Sequence, residues 1–238
     1  MNSGLVIFAA ILLSVCYLSV KMGKLTLGAA ITGAVIAGCI FIGAGFTGVA
    51  ILGCFFLSGT LATTFKSNLK ETLGIAENDK GKRRPGQVIA NGGLAAIAGL
   101  LAVIFVQHKI LLQVMMAAAM ASATADTLSS EFGMVYGRRF YNIINFKPGR
   151  RGDNGVVSLE GTLAGCSGSL MIAVVYAIGF GLNKWFAWII IAGTVGNIAD
   201  SVLGATLEKE HYLNNDAVNF INTFIAALTA LMLFKTSG

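Results

Sequence analysis

The sequence predicts an all-α, polytopic membrane protein of about eight transmembrane helices, with its polar chemistry gathered at one membrane face. Three observations carry this. Apolar residues make up 55% of the 238-residue chain and charged residues only 12%, with a mean hydropathy of +0.77; a soluble globular chain carries about 25% charge. The apolar runs are continuous rather than alternating, which argues against a barrel. Two prolines and 30 glycines suit long unbroken helices that approach one another closely in lipid.

A bilayer core needs roughly 20 apolar residues per helix. Eight such runs occur in order, at 2–20, 25–43, 46–65, 87–107, 110–128, 157–183, 185–206 and 216–235. The first, "LVIFAAILLSVCYLSV", follows a stretch with no basic residues, so it reads as a retained helix rather than a cleaved signal. The second and third are separated only by "GAGF", Gly43 to Phe46. Charge placement supports that split. The loops after the first, third, fifth and seventh runs hold 14 of the 17 lysines and arginines, and the opposite face holds only Lys109, Lys184 and Lys235. Cytoplasmic loops carry the basic excess, so eight spans with both termini outside form a consistent topology. Merging the second and third would move Lys21 and Lys24 to the other face. The whole chain, 1–238, reads as a single integral membrane domain of a plasma or inner membrane.

The net charge of +6 comes from these loops. Two accounts fit it: orientation in the membrane, or an anionic partner such as a lipid phosphate or a nucleotide. Cys16, Cys39, Cys54 and Cys166 all lie inside apolar runs with no CxxC spacing, so neither a disulfide nor a zinc site is expected. The two histidines do not pair, and no Ser-His-Asp arrangement is evident.

The remaining polar residues crowd the basic face. Asn91 lies at the start of the fourth run, in "QVIANGG". Asp126 ends the fifth, followed by Glu131. Ser158, Glu160 and Thr162 open the sixth, Asp200 sits in the last turns of the seventh, and Asn215 and Asn219 start the eighth. A carboxylate inside a span costs on the order of 2.5–3.5 kcal/mol even on insertion scales. Asp126, Glu160 and Asp200 are therefore neutral, paired with a loop base, in contact with water, or bound to a cation; oxygen ligands from several helices suit Mg²⁺ or another hard divalent ion. Gly193, Gly196, Asn197, Asp200 and Gly204 share one helix face. The loop from Gly137 to Gly161 mixes glycine with Arg138, Lys147, Arg150, Arg151 and Asn154, the composition of a phosphate cradle, although no Walker A pattern occurs. The Lys80 to Arg84 cluster reads as a solvated orienting loop.

In the order "QVIANGG", "ATADTLSSEFG", "KPGRRGDNGVVSLEGTLAG" and "GNIADSVLGATLE", the chain resembles the domain-of-unknown-function 92 family of integral membrane proteins, which contains transmembrane protein 19 and the plant phytyl-phosphate kinases. The resemblance covers 87–238 and is looser over 1–86. Arg150 and Arg151 depart from the family's usual run at that point. Asp126, Glu131 and Arg138, followed by Ser158 and Glu160, also look like the pattern of dolichol and phytol kinases and CDP-diacylglycerol synthases. The resemblance implies an isoprenoid-monophosphate kinase that draws on a nucleoside triphosphate, CTP for preference. Asp126, Glu160 and Asp200 would hold Mg²⁺, with Glu131 beside them. Asn91, Arg138, Lys147, Arg150, Arg151, Asn154, Ser158 and Asn197 would bind substrate phosphates. Membrane lipids are expected partners and nucleic acid is not. A CTP-dependent cytidylyltransferase would need the same groups, and a lipid-phosphate transporter or flippase would share the intramembrane acids. Crowding of the polar residues at one face counts against the transporter.

Overall fold

The computed structural model describes residues 3–67 and 82–236; of the basic residues read above as orienting charges, Lys70 and Lys80 lie outside the described residues. Within them, seven helices are long and apolar enough to cross a membrane. They are α1 (Ser3–Lys21), α2 (Leu27–Thr64), α3 (Pro85–Ile104), α4 (Lys109–Tyr136), α5 (Leu159–Phe180), α6 (Trp185–Leu203) and α7 (Asn215–Thr236).

The second helix accounts for the difference between seven and eight. As a straight rod its 38 residues would run about 57 Å, nearly twice the roughly 30 Å of a bilayer core. It reverses at Gly45, whose φ of 62° and ψ of −152° lie outside the helical region in territory open to glycine. A Cβ on Gly48 would sit 2.7 Å from Cγ2 of Ile40, and Phe56 packs against the cluster of Leu25, Ala29 and Ala30. α2 is therefore a helical hairpin with arms 27–44 and 46–64, the break falling within "GAGF".

α4 is the hub and packs against α2, α3, α5, α6 and α7. Ala117 to Ala119, Ala121, Ser122, Ala123 and Ala125 on it are wholly buried. Glycines on its neighbours let the backbones meet. A Cβ on Gly168 of α5 would lie 3.1 Å from Cα of Ala125, and one on Gly193 of α6 would lie 2.7 Å from Cβ of Ala121. Small residues make such interfaces because lipid supplies no hydrophobic drive between helices, leaving van der Waals packing to hold them.

Two local features shape the basic end. The α4–α5 loop is a hairpin with β1 (Tyr141–Asn142) antiparallel to β2 (Val156–Val157). Its Gly155 docks so closely on Ala205 that a Cβ there would overlap that residue. α6 then runs into a wide π turn, Gly204–Glu208, in which the Lys209 N–H donates back to the Gly204 carbonyl at 3.2 Å. Such turns insert one extra residue and often mark functional sites.

Candidate functional site

At the basic end the helices leave a cavity of about 380 Å³, walled by α2, α3, α4, α6, α7 and the hairpin loop. Asp126 comes from α4 and Asp200 from α6, and their carboxyl groups are in hydrogen-bonding contact. Asp200 Oδ1 accepts from Asn222 Nδ2 at 2.6 Å. Asn222 Oδ1 in turn accepts from the Ser122 hydroxyl at 3.0 Å. Ser122 and Asn222 are wholly buried, so a fixed polar chain runs from the core of α4 through α7 to the aspartate pair. Two ionised carboxylates in contact repel, so the pair is stable only with a proton or a cation between them.

Seven of the sequence-predicted residues line this cavity: Asn91, Asp126, Glu131, Asn154, Ser158, Asn197 and Asp200. Asn91 is steadied by a 2.9 Å bond from its Nδ2 to the Gln87 carbonyl. Ser158 is committed to its own helix, its Oγ accepting from the Gly161 N–H at 3.1 Å as the N-cap of α5.

The other five do not line it. Glu160, expected beside the aspartates as a metal ligand, instead accepts from the Arg138 N–H at 3.4 Å, because it sits one residue into α5, beyond the cap that faces the cavity. Arg138, Lys147 and Arg150 are exposed on the hairpin loop. Arg151 turns back into the loop, where its guanidinium stacks 4.9 Å from the Phe140 ring centroid and donates to the Gly137 carbonyl at 2.9 Å. The loop meets the cavity through Gly152 to Val157 rather than through its basic residues. At the start of α3 the chain presents a carboxylate of its own, since a Cβ on Gly86 in the first turn would lie 2.5 Å from Oδ2 of Asp216.

Three contributors went unread in the sequence. Asn222 lies seven residues past Asn215 and three past Asn219, a one-face stripe that was visible. Glu208 lines the cavity and its carboxylate is held by Asn154. On a regular helix it would sit about 80° round from Asp200, and the extra residue of the π turn brings it back. Arg83 is the one basic side chain among the described residues of the wall, against Asp126, Glu131, Asp153, Asp200 and Glu208. The cavity is thus acidic, rimmed at a distance by exposed bases.

Comparison with known proteins adds the family. The chain is 33% identical over 186 residues to "Protein VTE6, chloroplastic" of Arabidopsis thaliana, covering 75% of this chain and 56% of VTE6. It is 34% identical over 187 residues to the uncharacterized membrane protein sll0875 of Synechocystis, covering 77% and 72% of the two chains. It is 29% identical over 182 residues to the uncharacterized membrane protein MJ0933 of Methanocaldococcus jannaschii, covering 76% and 74%. The match thus spans little more than half of VTE6. No solved structure matches the chain. The pattern described as "Integral membrane protein DUF92" matches residues 10–227, and the chain belongs to that family of integral membrane proteins.

Proposed function

We propose that the protein is an isoprenoid-monophosphate kinase, transferring the terminal phosphoryl group of a nucleoside triphosphate, CTP for preference, to a polyprenyl- or phytyl-type monophosphate. The observation that carries this reading is the meeting of Asp126 and Asp200, from two helices, in a polar cavity at the basic end of the bundle. The resemblance to the plant phytyl-phosphate kinases and the similarity to VTE6 support it. The basic excess at that end favours a cytoplasmic site in a plasma or inner membrane.

The residues fit a divalent cation such as Mg²⁺. Mg²⁺ binds through one or two carboxylates and takes its other ligands from water and substrate phosphates. Asp126 and Asp200 are such a pair, and among the described residues no group of three His, Cys, Asp or Glu assembles to enclose an ion. When bound, the ion neutralises charge on the triphosphate oxygens, which this acidic wall would otherwise repel.

The chain's own groups do the rest. Asn91, Asn154 and Asn197 line the cavity, and the amide hydrogens that Asn91 and Asn154 do not spend on Gln87 and Glu208 would serve phosphate oxygens. Asn222 fixes the orientation of Asp200 from behind. The acceptor is already an anion, so no side chain has to remove a proton from it. Its phosphate oxygen attacks the terminal phosphorus in line. The new O–P bond forms as the bond from that phosphorus to the bridging oxygen breaks, and the electron pair leaves on the nucleoside diphosphate.

The test offers the purified protein in detergent CTP or ATP with Mg²⁺, together with phytyl, geranylgeranyl and undecaprenyl monophosphates, and identifies products by mass. A lipid diphosphate with a nucleoside diphosphate is expected. A CMP-bearing lipid with released diphosphate would replace the kinase by a cytidylyltransferase, and no covalent product from any acceptor would overturn both.

A further inference from the structure

A second, apolar groove of about 490 Å³ lies between α1, both arms of α2 and the start of α3. Its wall is almost entirely hydrocarbon, from Phe8 and Phe46 at one end to Phe55 and Phe56 at the other. At that second end it is closed by Arg83 and Gln87, and both residues also line the polar cavity. The two spaces therefore meet at one guanidinium.

Arg83 is held in place by the fold. Its backbone pairs with the α1–α2 turn, the Arg83 N–H donating to the Lys24 carbonyl at 3.0 Å and the Thr26 N–H to the Arg83 carbonyl at 3.1 Å. Its guanidinium lies 4.9 Å from the Phe55 ring centroid and 5.6 Å from that of Phe56. It also packs against Gly59, where any Cβ would displace it. A cation stacked on two aromatic faces at the mouth of an apolar groove has both chemistries of an amphiphile's phosphate end beside it.

We propose that this groove holds the hydrocarbon tail of the acceptor and that Arg83 binds its phosphate, so that the lipid enters from the bilayer and presents its oxygen to the cavity beside Asp126. This rests on the kinase reading for the acceptor's identity. It adds which helices carry the tail and which residue selects a lipid bearing a terminal phosphate. An aliphatic chain laid along residues 46–56 would follow the arm for about 15 Å, with its phosphate at the Arg83 end.

The test is labelling, which requires no turnover. The full-length protein in detergent is irradiated with geranylgeranyl monophosphate carrying a diazirine at its far end, and labelled peptides are mapped by mass. Label is expected on the stretches 8–16 and 46–56, displaced by unlabelled geranylgeranyl monophosphate and poorly by geranylgeraniol. Arg83→Gln should weaken displacement by the monophosphate about tenfold or more, the value of a hydrogen bond to a charged group. Since that change could unsettle the α1–α2 turn, Gly53→Phe provides a second variant. A Cβ at Gly53 meets nothing within 4 Å, so the ring extends into the groove and should remove the label while the protein keeps its melting temperature. Label confined to other helices overturns the proposal, as does equal displacement by phosphatidylglycerol, which would mark a general bilayer-lipid groove. Groove labelling without phosphoryl transfer would refute the kinase and keep the groove; transfer with label elsewhere would do the reverse.

Discussion

Asn222→Leu tests whether the buried polar chain behind the aspartates sets the chemistry. The substitution keeps the number and branching of the side-chain heavy atoms and removes two hydrogen bonds, the 2.6 Å bond to Asp200 and the 3.0 Å bond from Ser122. Hydrogen bonds between membrane helices average about 0.6 kcal/mol and reach about 1.7. The short bond to a carboxylate belongs near the top of that range and the Ser122 bond near its mean, giving about 2 kcal/mol in all. For a chain of this size that is a fall of about 4–8 °C in melting temperature, measurable in detergent by a thiol-reactive dye or by light scattering. Turnover should fall about 10–100-fold, the usual cost of losing a group that orients a metal ligand. The discriminating measurement is the Mg²⁺ concentration for half-maximal rate. It should rise in Asn222→Leu, because Asp200 is no longer aimed, whereas a purely structural defect would leave it alone. A protein with the expected melting loss and an unchanged Mg²⁺ requirement would refute the positioning role. One with neither change would refute the network itself.

Asp126→Asn and Asp200→Asn should each lower turnover by at least about 100-fold, the scale of removing a principal electrostatic stabiliser. Each should hold or raise the melting temperature, since one of two repelling carboxylates has gone; a large loss of stability would mean that the pair is structural. Arg151→Gln should loosen the hairpin loop, seen as faster proteolysis between Tyr141 and Val156, while Arg150→Gln should not; equal protection would show that the Phe140 stack and the Gly137 bond contribute nothing. Gly168→Val should prevent assembly of α4 with α5, because even its Cβ would stand 3.1 Å from the Ala125 backbone; normal yield and melting temperature would show that the helices part freely.

The helical membrane class was legible because lipid imposes it: eight apolar runs can be counted along the chain, and the weak break at "GAGF" was recoverable from where Lys21 and Lys24 must lie. Helix ends were less legible. The fifth run was expected to stop at 128, yet α4 continues to Tyr136. Hydropathy registers contact with lipid, whereas Ser129, Ser130 and Glu131 can be polar and still helical around a cavity. The aspartates were readable as costly charges on small-residue faces. Arg83 was not, because its burial depends on pairing with Leu25, far away in sequence. Glu208 was hidden by a one-residue excess in a turn that no local motif announces.

The basic loops misdirect for a related reason. Lys147, Arg150 and Arg151 are conspicuous in a chain with few charges, and their setting among glycines suggests phosphate. Yet the wall that could enclose a phosphate holds, among the described residues, five carboxylates and one guanidinium. The two arrangements serve different ranges. Exposed bases act through a field that fades over about 10 Å in salt, so on the proposed reading they would draw anionic ligands toward the membrane surface without touching them. Inside the cavity, beyond the single guanidinium of Arg83, a triphosphate would settle only if positive charge arrived with it, and the contact between Asp126 and Asp200 is where that charge would lodge. A site built this way should bind nucleotide weakly without divalent cation and tightly with it, whereas a cradle of arginines would bind in either case. Isothermal titration of CTP with and without Mg²⁺ separates the two: equal affinity in both would return the phosphate site to the loop and leave the acidic cavity without a role in catalysis.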